Sequence, residues 1–497
     1  MVEPSPYLRA SYGHETLEMS KETIARSHIS PVVDSMPADL LTPLAVFLAL
    51  SNHAKNCFLL ESVEGGETLA RYSFIGADPE MIVSGDDSEV AIKDKNGSRV
   101  ERTSLFDFLR THFGSVNAET VEDLPSFIGG AIGFLNFSAV DWFEPSLKND
   151  VQRDSQAAFM FYRSIVAFDH AKQVVKLISL AFGDDEDAIE SARAKNKQMR
   201  DALESLQLHR PEGSARSATS SVTSNFKKAE FEKAVQAAKE YIFAGDAYQI
   251  VLSQRFSRPT LASDVSIYRA LRSTNPSPYM FLLRFDDRSI IGASPEMLVR
   301  CTGRKLEYRP IAGTRARGKS QNEDAQLAAE MRADKKEVSE HMMLVDLGRN
   351  DLGRVAEFGS VNVDELMKVE KYSHVQHLVS ALSATLKPEC DRFDALAACF
   401  PAGTVSGAPK VRAVEIIREL EPDDRGIYAG GVGYFDYSGN MDTCIAIRTL
   451  VLENGVATIQ AGAGIVADSV PELEYQETVN KAKALLRAID LAESGQF

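Results

Sequence analysis

Four glutamates form two E-x-x-E pairs: Glu337 and Glu340 in KKEVSEHMMLVDL, and Glu474 and Glu477 in LEYQETVNKAKALL. Residues three apart share a face of a helix. Two such pairs facing each other would build an oxygen-rich site suited to a hard cation such as Mg²⁺. In the second segment Val479, Ala482, Leu486 and Ile489 form an apolar stripe, and Glu474, Glu477 and Lys481 fall away from it. Spacing alone also fits two solvated helix faces. Two Gly-rich stretches offer backbone N–H groups to an anion. PAGTVSGAPK (Pro401–Lys410) fails as a nucleotide P-loop, because Pro409 stands before the lysine and Val411 after it. AGAG (Ala461–Gly464) is not G-x-G-x-x-G, and a tight turn explains either stretch equally well. His377, in YSHVQHLVS, fits an acid–base group or a hydrogen-bonded core residue. Arg448 interrupts the apolar CIAIRTLVL, and a buried Arg needs an anionic partner from the protein or from a ligand.

These residues need elements to hold them. Periodicity predicts helices over 228–244, ended by Gly245, over 335–347, and over 473–491. Strand-like runs include NCFLLES, RYSFIG and QVVKLISLAF before residue 200. Later come YMFLLRF, SIIGASPEMLVR, KLEYRPIAGT, GIYAGGVGYFDY, MDTCIAIRTLVLEN and VATIQAGAGIVAD. Strands and helices do not alternate regularly, so α+β is favoured over a doubly wound sheet. The polar segment His209–Asn225 reads as a flexible connection between parts 1–208 and 226–497, and Asp184–Asp187 as a solvated loop.

A net charge of −16 over 497 residues argues against nucleic acid as the main partner, since phosphate binding needs a basic stripe. The five cysteines, Cys57, Cys301, Cys390, Cys399 and Cys444, form no CxxC pair. They read as reduced thiols in a cytoplasmic protein. The first residues hold no apolar core of a secretory signal, and no stretch of eighteen apolar residues suggests a membrane span.

The segments SPEMLVR, YRPIAGTRARG, KEVSEHMMLVDLGRNDLGRV, PAGTVSGAPK, GIYAGGVGYFD, CIAIRT, AGAGIVADS and PELEYQET occur in this order. Together they are similar to the signature segments of chorismate-utilising enzymes. The likeness spans Phe226–Ala492, and LLESVEGGETLARYSFIG (Leu59–Gly76) extends it to most of the chain. It implies that family's α+β fold, with largely antiparallel sheets packed face to face and helices outside. Members that make aminodeoxychorismate carry a nucleophilic Lys in PIKGT; here the segment is PIAGT, with Ala312. Members that add water carry a Lys base where YQIVLSQ here has Gln249. That leaves ammonia as nucleophile and resembles the anthranilate-forming branch, which starts tryptophan biosynthesis and releases pyruvate. A sister activity that stops at 2-amino-2-deoxyisochorismate stays open.

By the same resemblance, Glu340 and Glu477 hold Mg²⁺ directly, with Glu337 and Glu474 supporting through water. Arg448 and Tyr428 hold the enolpyruvyl carboxylate; Gly313, Thr314, Gly462, Ala463 and Gly464 line the substrate; Lys481 stands near a carboxylate. Glu296 protonates the leaving hydroxyl, His377 assists pyruvate loss and Thr404 orients it. No segment reads as a glutaminase nucleophile elbow, so a separate glutamine amidotransferase subunit is expected to supply ammonia. LLES, with Ser62, resembles the feedback site for L-tryptophan, together with Pro278, Tyr279 and Met280 of NPSPYMF. The strand ending Glu61–Ser62 offers a carboxylate and a hydroxyl for an amino-acid ammonium. The single Trp142 suits economy in a tryptophan-making enzyme.

Overall fold

The computed structural model describes residues 27–52, 54–62, 71–119, 121, 123–148, 156–183, 185–206, 221–372 and 375–496, the side chain of Thr314 excepted. The first 26 residues, residues 63–70 after LLES, most of the polar connection (209–220) and Asp184 lie outside the described residues. Among the described residues there are two large sheets, of thirteen and twelve strands. The smaller is antiparallel throughout; in the larger the one parallel pair is Ser27–Pro37 with Val116–Ala118. The fold is therefore α+β, as the irregular order of strands and helices in the sequence predicts.

Both sheets draw strands from early and late sequence. In the larger, Cys57–Glu61 lies between Tyr72–Ala77 and Tyr279–Phe285, with Glu61 opposite Met280. In the smaller, Gly130–Leu135 lies between Ala157–Tyr162 and Gly431–Asp436, with Leu135 opposite Gly431. Of the polar connection, Thr223–Ser224 forms a short strand on Phe256–Ser257.

Runs such as CFLLE and MFLLRF are apolar at successive positions because both of their faces are covered. Phe58, Phe281, Leu283 and Ile165 join a core with residues of the smaller sheet, including Val83, Ile132, Phe159 and Phe435. Their neighbours Leu59, Met280, Leu282 and Val166 join a second core with helical residues Phe47, Tyr268, Leu485 and Ile489. The layers are thus sheet on sheet, with helices on the outer face of the larger sheet.

The helix Lys228–Ala244 ends as expected at Gly245, which takes φ +87° while Asp246 N–H reaches back to the Tyr241 carbonyl. The helix Lys335–Val355 runs two turns past Leu347, through Gly348, Asn350 and Gly353, which read as breakers. Packing decides it: Leu352 is fully buried, and a Cβ on Gly348 would lie 2.5 Å from the Tyr308 ring. The helix Pro471–Ser494 opens on Pro471 and buries Ala482 and Ile489 of the expected stripe, with Leu485 beside them.

Three expected strands are broken in two: KLEYRPIAGT parts at Arg309–Pro310 within the smaller sheet, and the other two change sheet. SIIGASPEMLVR leaves the larger sheet after Ser294 and enters the smaller at Met297. MDTCIAIRTLVLEN leaves the smaller after Ile445 and enters the larger at Thr449. An apolar run looks the same to a periodicity argument whether or not it changes sheet.

Candidate active site

The two sheet changes lie side by side. The Ile445 N–H donates to the Glu296 carbonyl at 3.1 Å, the Ser294 hydroxyl to the Ile445 carbonyl at 2.7 Å, and the Ala293 N–H to the Arg448 carbonyl at 3.1 Å. This pins Glu296 and Arg448 together where the sheets part. Arg448 sits at φ +48°, a conformation a continuous strand could not hold.

Glu296 and Arg448 face a cavity of about 600 Å³. Also lining it are Gly313, His377, Thr404, Tyr428, Gly462, Gly464 and Lys481, together with Glu340, Glu474 and Glu477. The structure thus gathers most of the residues singled out in the sequence. Three stand apart. Ala463 is fully buried in the core, on the strand face opposite Gly462 and Gly464. Glu337 is set back behind the wall, paired with Arg315 at 2.8 Å. Thr314 pairs with His377 in the sheet, its side chain being outside the described residues.

Burial pushes the Glu296 carboxyl up to about 8, opposed only in part by Thr404 and the Arg448 cation. At neutral pH it holds a proton. The Thr404 hydroxyl approaches it but reaches no partner in good hydrogen-bond geometry. The Arg448 side chain is accessible to solvent, yet enough protein surrounds it to lower its pKa by desolvation. A group exposed only into a cavity behaves this way. Among the described residues no carboxylate forms an ion pair with it. His377 Nδ1 lies 2.9 Å from the Gly313 carbonyl, which places its proton there and leaves Nε2 the basic nitrogen. Burial lowers the His377 pKa, so the ring is neutral.

The helices Lys335–Val355 and Pro471–Ser494 face each other across the mouth. Burial raises the Glu340 carboxyl, helped by Glu337 and Glu477 and opposed by Lys336; burial raises Glu474 too, helped by Glu477. Lys336 stands 3.8 Å from Glu340, and Lys481 bridges Glu477 at 2.7 Å and the Gly462 carbonyl at 2.8 Å. Among the described residues no three such side chains converge to liganding distance. The donor set is nevertheless one of hard oxygens crowded beyond what the two lysines neutralise, which suits a divalent cation. Lys410 of PAGTVSGAPK pairs with Asp351 at 3.0 Å inside the protein and does not reach the cavity.

Sequence reasoning missed Lys336, Asn275 and Gln460, which also line the cavity. Lys336 adjoins Glu337 and was legible as its neighbour; the other two carry no signal of their own.

A second cavity, of about 430 Å³, lies between the sheets. Ser62, Pro278, Tyr279 and Met280 line it, with Arg300 and Asp442. Glu61 lines it as well, and strand alternation sets how the side chains of Glu61 and Met280 are engaged. The Glu61 Oε2 is engaged on the helix side, where it accepts from Tyr268 at 2.5 Å and Arg272 at 3.1 Å. Met280, its register partner, also buries its side chain in the helix-side core. The Tyr279 hydroxyl donates to Asp442 at 3.1 Å. Asn275 and Pro276 line the first cavity and Pro278 to Met280 the second, so one short segment walls both.

A profile of the family described as chorismate binding enzyme matches residues 55–487. Anthranilate synthase component 1 of Acetivibrio thermocellus is 44% identical, over 97% of this chain and 99% of its own. That of Aquifex aeolicus is 43% identical, over 97% and 99%. In three dimensions the chain resembles anthranilate synthase component I from Streptococcus pneumoniae, with TM-score 0.73 and 37% identity over 90% of this chain and 98% of the other. The menaquinone-specific isochorismate synthase of Escherichia coli shares the fold, with TM-score 0.70 at 22% identity over 94% and 95%.

Proposed function

The chain belongs to the chorismate-binding enzymes, and on that footing we infer that it acts as the chorismate-binding component of an anthranilate synthase. It combines chorismate with ammonia to give anthranilate, pyruvate and water. The observation that carries this reading is a buried Glu296, its carboxyl pushed up to about 8 by burial, pinned beside an Arg448 that has no carboxylate partner among the described residues. An acid and an anion-binding fork are what elimination of a hydroxyl from a dicarboxylate needs. Ala312 and Gln249, both in the wall, offer neither a nucleophilic amine nor a base for water.

Arg448 and Tyr428 hold the enolpyruvyl carboxylate. Ammonia bonds to ring C2 while the C4–O bond breaks, and Glu296 gives its proton to the departing oxygen, which leaves as water. The C2 proton is then lost and the enolpyruvyl C–O bond breaks, releasing pyruvate; the neutral His377, basic at Nε2, is placed to carry a proton. Mg²⁺ would be held by Glu340 and Glu477 and, when bound, offset the ring carboxylate's charge. Glu337, tied to Arg315, supports from behind.

Relatives named component 1 imply a second component, and we assign to it the release of ammonia from glutamine. The second cavity is the site for feedback by L-tryptophan, with Ser62 and the backbone of Pro278–Met280 in its wall. No described helix is long and apolar enough to cross a membrane, and the five cysteines are unpaired, which suits the cytoplasm.

The test is incubation of the pure chain with chorismate, Mg²⁺ and ammonium at alkaline pH, following anthranilate fluorescence and pyruvate. Equal amounts of both are expected. Isochorismate or aminodeoxychorismate as product would overturn the reading, and an amino product without pyruvate would favour the aminodeoxyisochorismate branch.

A further inference from the structure

Behind the cavity wall lies a buried ion pair that the reaction scheme does not use. Arg425 and Glu421 have side chains only 1% and 4% exposed and meet at 2.6 Å and 2.9 Å. Arg425 also donates to the carbonyls of Val405, next to Thr404, at 2.7 Å and Val251 at 2.6 Å. Its guanidinium lies 5.5 Å from the centre of the Tyr428 ring. One cation therefore ties together three parts of the wall: the short helical turn Gly403–Ser406 that carries Thr404, the strand of Gln249 and Tyr428.

The hydrogen bonds leading from this pair have a forced direction. Glu421, ionised against Arg425, only accepts. It takes the Ser253 N–H at 2.8 Å and the Ser253 hydroxyl at 2.9 Å. The one hydroxyl proton of Ser253 is thereby used, so its oxygen accepts from Gln460 Nε2 at 2.8 Å. That fixes the Gln460 amide. Its nitrogen faces the protein, and its carbonyl oxygen is left for the cavity that Gln460 lines. We propose that Gln460 binds a hydrogen-bond donor of the bound reactants through Oε1, and that Arg425, Glu421 and Ser253 are positioning residues that fix the direction of this acceptor. Chorismate carries one such donor, its C4 hydroxyl, and ammonia is the other source; the two carboxylates of the substrate are repelled from this point.

The inference rests on the proposed reaction, and the wild-type assay separates the two: no anthranilate from wild type would sink the reaction itself. With active wild type, KM for chorismate and for ammonium are measured in Gln460→Leu and in Ser253→Ala, which removes only the relay. One KM is expected to rise about three- to tenfold in Gln460→Leu, the worth of one hydrogen bond, and less in Ser253→Ala. A rise for ammonium alone assigns the donor to the nucleophile, and a rise for chorismate alone to the C4 hydroxyl. A purely structural role would lower the melting temperature without moving either constant. Both KM values unchanged in either folded variant, whatever happens to kcat, overturn the proposal.

Discussion

A carboxyl whose pKa is pushed up to about 8 has a visible kinetic signature. Burial does this to Glu296, so the acid form works below that pH and is lost as pH rises through it. At fixed free ammonia, kcat/KM for chorismate should fall above about pH 8. Glu296→Gln should lower turnover by about 10²–10⁴-fold, the usual worth of an acid–base group, and should abolish that limb. Persistence of the same alkaline limb in the Glu296→Gln variant would assign it to another group. Arg448→Lys should raise KM for chorismate, because a point ammonium cannot reproduce a planar fork; wild-type KM in that variant would remove Arg448 from the carboxylate site. Residue types and their motifs made these two legible in the sequence. What the sequence hid was each group's surroundings. Glu61 shows how: its carboxylate looks wholly available on paper, but Tyr268 and Arg272, some two hundred residues away, already hold one of its oxygens.

At the scale of elements, helical spacing pairs the four glutamates, and the two helices carry Glu340, Glu474 and Glu477 to one mouth while Glu337 stays behind the wall on Arg315. Glu340→Gln and Glu477→Gln should each shift the Mg²⁺ dependence of activity to higher concentration, measured by titration of the metal in the assay. Near-normal activity at modest Mg²⁺ in either variant would take that residue out of the metal site. Helix ends were less legible than helix existence, since the turns beyond Leu347 are held by packing, with Gly348 set against the Tyr308 ring and Leu352 fully buried. Gly348→Val should destabilise by about 1–3 kcal/mol, the cost of overpacking against a buried ring. An unchanged denaturation midpoint would show that the ring yields. The two sheet changes escaped periodicity entirely, and they are the features that bring Glu296 and Arg448 together.

For the molecule as a whole, tryptophan inhibition requires the effector to bind a less active arrangement more tightly than the active one. Pro278–Met280 in one cavity continues into Asn275–Pro276 in the other, which offers a direct mechanical link. Ser62→Arg should fill the second cavity and abolish inhibition while sparing ammonia-dependent activity. Full sensitivity in that variant, or none in wild type at millimolar concentration, would end the regulatory reading. Pattern in the sequence divided the chain at its polar connection, but hydrogen bonding across the two parts is a long-range fact that no local pattern carries. The interleaving of strands also has a consequence during synthesis. Glu61 pairs with Met280, about 220 residues later, so at 5–20 residues per second the strand Cys57–Glu61 leaves the ribosome roughly ten to forty seconds before its partner. For that interval an apolar edge is exposed on a nascent chain of high contact order. Yield of active protein should therefore depend on chaperones and temperature during translation far more than the stability of the finished enzyme does.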